Sequence, residues 1–107
     1  MADEIRLAFG LPGPPEANRA AWKATPPPFL GDYDLKDESY ETLVYEAQVM
    51  GAGMRILMWG MAKTLYRLMI TFTDDATVGT RVMLTGQAKE DVRDQIGAYL
   101  REHTTAL

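Results

Sequence analysis

Met50-Gly-Ala-Gly-Met54-Arg-Ile-Leu-Met58-Trp-Gly-Met61-Ala-Lys-Thr-Leu-Tyr66-Arg-Leu-Met69-Ile-Thr-Phe72 can be wound as a helix or drawn out as strands, and the fold turns on the choice. At about 100° per residue, Gly60, Lys63, Thr64, Arg67 and Thr71 share roughly one quadrant and the rest is apolar, which suits an amphipathic helix. At about 180° per residue, Tyr66, Leu68, Ile70 and Phe72 oppose Arg67, Met69, Thr71 and Thr73, which suits a strand. Three considerations favour strands. Gly60 inside a helix costs ~1 kcal/mol against alanine. Ile70-Thr-Phe-Thr73 is β-branched and aromatic. A pairing partner also follows: in Gly79-Thr-Arg-Val-Met-Leu-Thr85, Thr80, Val82 and Leu84 face one way and Arg81, Met83 and Thr85 the other. The link Asp74-Asp-Ala-Thr-Val-Gly79 has turn composition. The expectation is a hairpin of 64–73 with 79–86, and a preceding strand at 54–59 that turns at Gly60 to Lys63; a helix over 54–63 is the alternative.

On either side the pattern continues. Ile5, Leu7 and Phe9 alternate as a short strand, stopped by Gly10-Leu-Pro-Gly-Pro-Pro15. The proline pair before Glu16 suits a helix start, because proline lacks only an N–H that would be unpaired there. Ala17, Ala20, Ala21, Trp22 and Ala24 extend this helix to about Ala24, and Pro26-Pro-Pro28 ends it. A short strand is expected within Phe29 to Leu35. Leu43, Tyr45, Ala47 and Val49 then line one face of a strand over 41–50, with Thr42, Glu46 and Gln48 opposite and Val44 breaking the pattern. Gly51-Ala-Gly53 reads as a turn. Ala88, Val92, Ile96, Tyr99 and Leu100 recur at helical spacing, with early acids and late Arg101 complementing the helix dipole, so a helix is expected over 88–102. The fold class is therefore α+β: an antiparallel sheet of about 4–6 strands on a long C-terminal helix, with a short N-terminal helix. One small domain, 1–107, is expected, with a Pro-rich, partly irregular stretch at 10–30 and a flexible tail at 103–107.

The 107 residues are 47% hydrophobic and 24% charged, ordinary for a globular domain. The net charge of −4 argues against nucleic acid as a partner. It is unevenly spread: between Glu46 and Asp74 stand Arg55, Lys63 and Arg67 and no acid. Five of the seven methionines lie between positions 50 and 69. The longest apolar run there, Ile56 to Ala62, is far short of the ~20 residues of a transmembrane helix. Zero cysteines exclude disulfides and thiolate sites and fit a reducing compartment, so a cytoplasmic location is expected. No basic region followed by an apolar run marks a signal peptide.

Phe9-Gly-Leu-Pro-Gly-Pro-Pro-Glu16 leading to Trp22, and Ile70-Thr-Phe-Thr73 before Gly79-Thr-Arg-Val-Met-Leu-Thr85 and the last helix, resemble the START-like, or polyketide-cyclase-like, helix-grip proteins. Such proteins bind lipids or other apolar molecules, so the resemblance implies a ligand of that class. It carries over no functional residue.

The chemical motifs are weak. His103, the single histidine, stands in the expected tail. Asp32-Tyr-Asp34-Leu-Lys-Asp37 has lysine and aspartate where a calcium loop needs an oxygen ligand and then glycine. Gly51-Ala-Gly53 lacks the third glycine of a dinucleotide fingerprint, the place being Ile56. Pro12 and Pro15 have PxxP spacing but are explained by the helix they bound. Asp74-Asp75 and Glu90-Asp91 read as solvated carboxylates. No catalytic set, metal site or cofactor is called, and a non-enzymatic role is expected. The Met-rich stretch keeps two readings. Its methionines fill gaps in an ordinary core, or, being flexible and polarizable, they make an adaptable binding surface. In the second case Met54, Arg55, Met58, Trp59, Met61, Lys63 and Arg67 are the candidate residues. They would hold an apolar or amphipathic small molecule. The alternatives are a homodimer or other protein interface, and attachment to an anionic membrane surface.

Overall fold

The computed structural model describes residues 4–31, 33–49, 64–88 and 90–106. In order these form β1 (Glu4–Leu11), α1 (Pro15–Ala24), a 3-10 turn (Pro28–Leu30), β2 (Asp34–Glu38), β3 (Thr42–Val49), β4 (Thr64–Asp75), β5 (Gly79–Gln87), α2 (Glu90–His103) and β6 (Thr105–Ala106). The strands make one antiparallel sheet in the order β2-β3-β4-β5-β1-β6. The class is α+β, as the sequence predicts. The hairpin is there too, with Ile70 opposite Leu84 and Phe72 opposite Val82. The strand or helix expected at 54–63, and the turn before it, lie outside the described residues.

Period-2 alternation sorts the side chains. Ile5 and Phe9 of β1, Leu43, Tyr45 and Ala47 of β3, Leu68, Ile70 and Phe72 of β4, and Val82 and Leu84 of β5 are all buried on one face. Each fully buried large apolar side chain stabilises the fold by about 1.5–3 kcal/mol. α1 brings Trp22 into this face. Its indole lies 5.7 Å from the Phe72 ring and 6.2 Å from that of Phe9, with Phe29 and Tyr99 edge-on. α2 adds Val92 and Ile96, buried, and Tyr99 and Leu100, partly so, which is the spacing that predicts it.

Two local devices fix the geometry. Asp75 accepts hydrogen bonds from the N–H groups of Thr77 (2.9 Å) and Val78 (3.0 Å), closing the β4–β5 turn. These bonds, Val78 first, hold its carboxyl below the usual range. The Thr80 hydroxyl, fully buried, donates to the Gly13 carbonyl and accepts from Asn18 Nδ2, both at 2.7 Å. That pins the β1–α1 loop to β5 and sets α1 across one end of the sheet.

One expectation is corrected. Phe29 to Leu35 is not a strand. Phe29 and Leu30 are adjacent and both buried, which alternation forbids and a 3-10 turn allows. The strand starts at Asp34 and pairs with β3 along the sheet edge. At the described end of the chain His103 ends α2, Thr104 donates to the Leu100 carbonyl, and Thr105 and Ala106 pair with Gly10 and Phe9.

Candidate functional site

The other face of the sheet carries the alternate residues. Val44 stands opposite Met69, and Thr71 opposite Met83, which in turn pairs with Ala8. Ala8, Met83, Met69 and Val44 thus make an apolar diagonal from β1 to β3. Met69 is 42% exposed. Met69 and Met83 are the two methionines among the described residues, and neither belongs to the buried core. For Met69, the one described methionine of the Met-rich stretch, the gap-filling reading does not hold.

Polar groups frame the diagonal. Arg67 stands directly opposite Glu46. Its Nε donates to Glu46 Oε2 at 2.7 Å, and its Nη2 reaches the same oxygen. The Thr42 and Thr71 hydroxyls are 3.2 Å apart. A shallow groove of about 250 Å³ lies beside Met69, lined by Arg67, Thr85, Gly86, Gln87 and Glu4. Gly86 sits at φ +135°, and a Cβ there would lie 1.9 Å from the Arg67 carbonyl oxygen. Only glycine allows the strands to approach this closely.

The strand register also locates the Met-rich segment. β3 and β4 pair out to Val49 and Thr64, whereas β5 pairs with β4 only from Leu68 onward. The β3–β4 hairpin therefore runs beyond the β4–β5 ladder by Thr64 to Arg67, about 13 Å of strand. Its far end joins the two ends of segment 50–63. Of the sequence-predicted site residues, Met54, Arg55, Met58, Trp59, Met61 and Lys63 lie in that segment and outside the described residues. Arg67 is described, on the outer face at the root of the overhang. The sequence makes it a candidate ligand contact; the structure pairs it with Glu46.

Other concave places lie elsewhere on the described residues. A groove of about 500 Å³ separates β1 from α2, with Ile5, Leu7, Ile96 and Gly97 in it and Glu90, Arg93 and Asp94 on its rim. Another of about 260 Å³ beside α1 is edged by Glu16, Glu41 and Asp74 around Arg19. A third of about 260 Å³ holds Tyr99 and His103, whose rings are 4.6 Å apart. Among the described residues no group of three or more His, Asp or Glu could hold a metal ion, and no helix is long and apolar enough to cross a membrane.

One charged cluster has no signature in the sequence. Arg19 and Lys23, one turn apart on α1, both reach Glu38 at the end of β2, at 3.2 and 2.8 Å. The Lys23 hydrogen bond, assisted by Arg19 and opposed by desolvation, holds the Glu38 carboxyl below its ordinary range. Beside them the Tyr45 hydroxyl is buried without a hydrogen-bond partner among the described residues, and burial pushes its pKa up. The i, i+4 spacing of Arg19 and Lys23 places them on one face, but only the chain path of β2 supplies the glutamate. The cluster braces α1 to the sheet edge.

Compared with protein-family models, curated proteins and solved structures, the chain matches none of them.

Proposed function

We propose that this chain is a non-enzymatic binding domain for an amphipathic molecule with an apolar tail and an anionic head. Residues of segment 50–63, together with the outer face at Met69, take the ligand. The observation that carries this reading is the position of Met69 and Met83. Both stand outside the core, on an open sheet face that leads to the overhanging end of the β3–β4 hairpin. Met69 and Met83 supply apolar area, adaptable because methionine is flexible, and the sequence of 47–73 adds Arg55 and Lys63 with no acid. Arg67 is already paired with Glu46, so the head group falls to those two bases. The order β1, α1, antiparallel strands, α2 is also the order that carries the helix-grip resemblance, and that resemblance favours a lipid-like ligand.

Tryptophan fluorescence tests the proposal. Trp22 is 5% exposed inside the aromatic cluster and serves as the internal control. Dodecanoate below its micellar concentration should change the emission saturably. Trp59→Phe should abolish that change while Trp22 emission stays constant. A flat response across fatty acids and anionic detergents would overturn the small-molecule reading. A response only to acidic vesicles would replace it with attachment to a membrane surface.

A further inference from the structure

The two edges of the sheet are built differently. β2 carries Asp34, Lys36, Asp37 and Glu38, and its register breaks between Leu35 and Asp37. Charge and irregularity of this kind discourage another strand. β1 is regular against β5 from Glu4 to Leu11. On its outer side β6 covers only Phe9 and Gly10. Among the described residues nothing pairs with that side of Glu4 to Ala8. The edge accepts strands, because β6 is one, docked antiparallel. Leu7, a large apolar side chain, is 37% exposed there, beside the 500 Å³ groove that separates β1 from α2.

We propose that a second copy of the chain docks on this edge, β1 against β1 in an antiparallel, two-fold pair that joins the two sheets into one. Over Glu4 to Arg6 the edge is self-complementary in one register. Inner side chains must stay opposite inner ones, so the pair must be centred on a residue and not between two. Centred on Ile5, Glu4 of each copy stands opposite Arg6 of the other, both on the outer face. Centring on Glu4 or on Arg6 sets like charges opposite each other, which is destabilising in an antiparallel pair. Centring on Leu7 requires Phe9, whose outer side is already taken by Ala106. The same patch serves both subunits, as a two-fold interface requires.

Sedimentation equilibrium on the full chain tests this, with charge exchange as the probe. Glu4 and Arg6 are exposed, so reversing them leaves the core untouched. The wild-type chain should be a dimer. Glu4→Arg and Arg6→Glu should each weaken association by roughly tenfold or more, since each turns both cross-strand attractions into repulsions. Mixing the two variants should restore a dimer. One chain then presents two arginines and the other two glutamates, so both cross-strand contacts between unlike chains are attractive. The double variant Glu4→Arg/Arg6→Glu should also recover, because each attraction returns with its charges exchanged. A wild-type chain that stays monomeric at millimolar concentration overturns the proposal. So does a dimer indifferent to both reversals, or one that mixing fails to rescue.

Discussion

The two faces of one sheet, built from the same strands, follow different rules. On the inner face Leu43, Leu68, Ile70, Val82 and Leu84 have no exposure at all, and Phe72 has 1%. Their side chains are branched or aromatic, with few rotamers, and they meet Trp22, Phe29 and Ile96 in fixed packing. On the outer face Val44, Met69, Met83 and Ala8 are spread across the strands in a thin diagonal, and none is fully buried. The inner face specifies the fold, and the outer face lies outside the core packing. A flexible, sulfur-containing side chain suits the second setting and would under-specify the first.

The contrast is broken most severely by truncating the inner face. Phe72→Ala should cost ~3–5 kcal/mol in denaturant unfolding, while Met69→Ala, on the same strand but the opposite face, should stay within ~0.5 kcal/mol. Equal costs would mean that the outer face is packed after all. Gly86→Ala comes next. Its Cβ meets the Arg67 carbonyl from a positive-φ backbone, so on the order of 3 kcal/mol is expected, and the groove beside Met69 should change shape with it. Thr80→Val removes a fully buried hydroxyl that both donates and accepts. It should cost ~1–3 kcal/mol and loosen the β1–α1 loop, visible as faster amide exchange at Asn18.

The smallest effect concerns acid. The Asp75 carboxyl is held low in the folded chain, so its contribution is fully present above the unfolded carboxylate pKa, about 3.9. It is lost as pH falls through the lower folded value. Unfolding midpoints should therefore drop as pH falls below about 4, and Asp75→Asn should flatten part of that slope. A variant with the same slope as the wild type would show that the turn bonds do not depend on the charge.

The inner face is legible in the sequence because alternation is a strong local signal. Leu43, Tyr45 and Ala47, or Tyr66, Leu68, Ile70 and Phe72, announce their face without knowledge of any partner. α1 is legible from Pro14-Pro15-Glu16, and α2 from the Val92, Ile96, Tyr99 spacing. β2 is misplaced because an edge strand rich in acids is defined by backbone pairing with β3, which leaves no hydrophobic pattern to read. The turn at Pro28–Leu30 is hidden for the opposite reason: Phe29 and Leu30 look like strand residues until both must be buried at once. The Glu46–Arg67 and Arg19–Lys23–Glu38 contacts depend on register and chain path, which no single segment encodes. The pairing of Thr105 and Ala106 with β1 is of the same kind.

The central claim is that the methionines mark a binding surface and not a core. The methionine methyl groups test it directly. In a chain labelled with [methyl-13C]methionine, titration with dodecanoate should shift the Met54, Met58, Met61 and Met69 resonances together and saturably. Isoleucine and leucine methyls of the inner face, Ile70 and Leu84 among them, should stay in place. Unmoved methionine signals throughout the titration, or shifts confined to the inner-face methyls, would contradict the account.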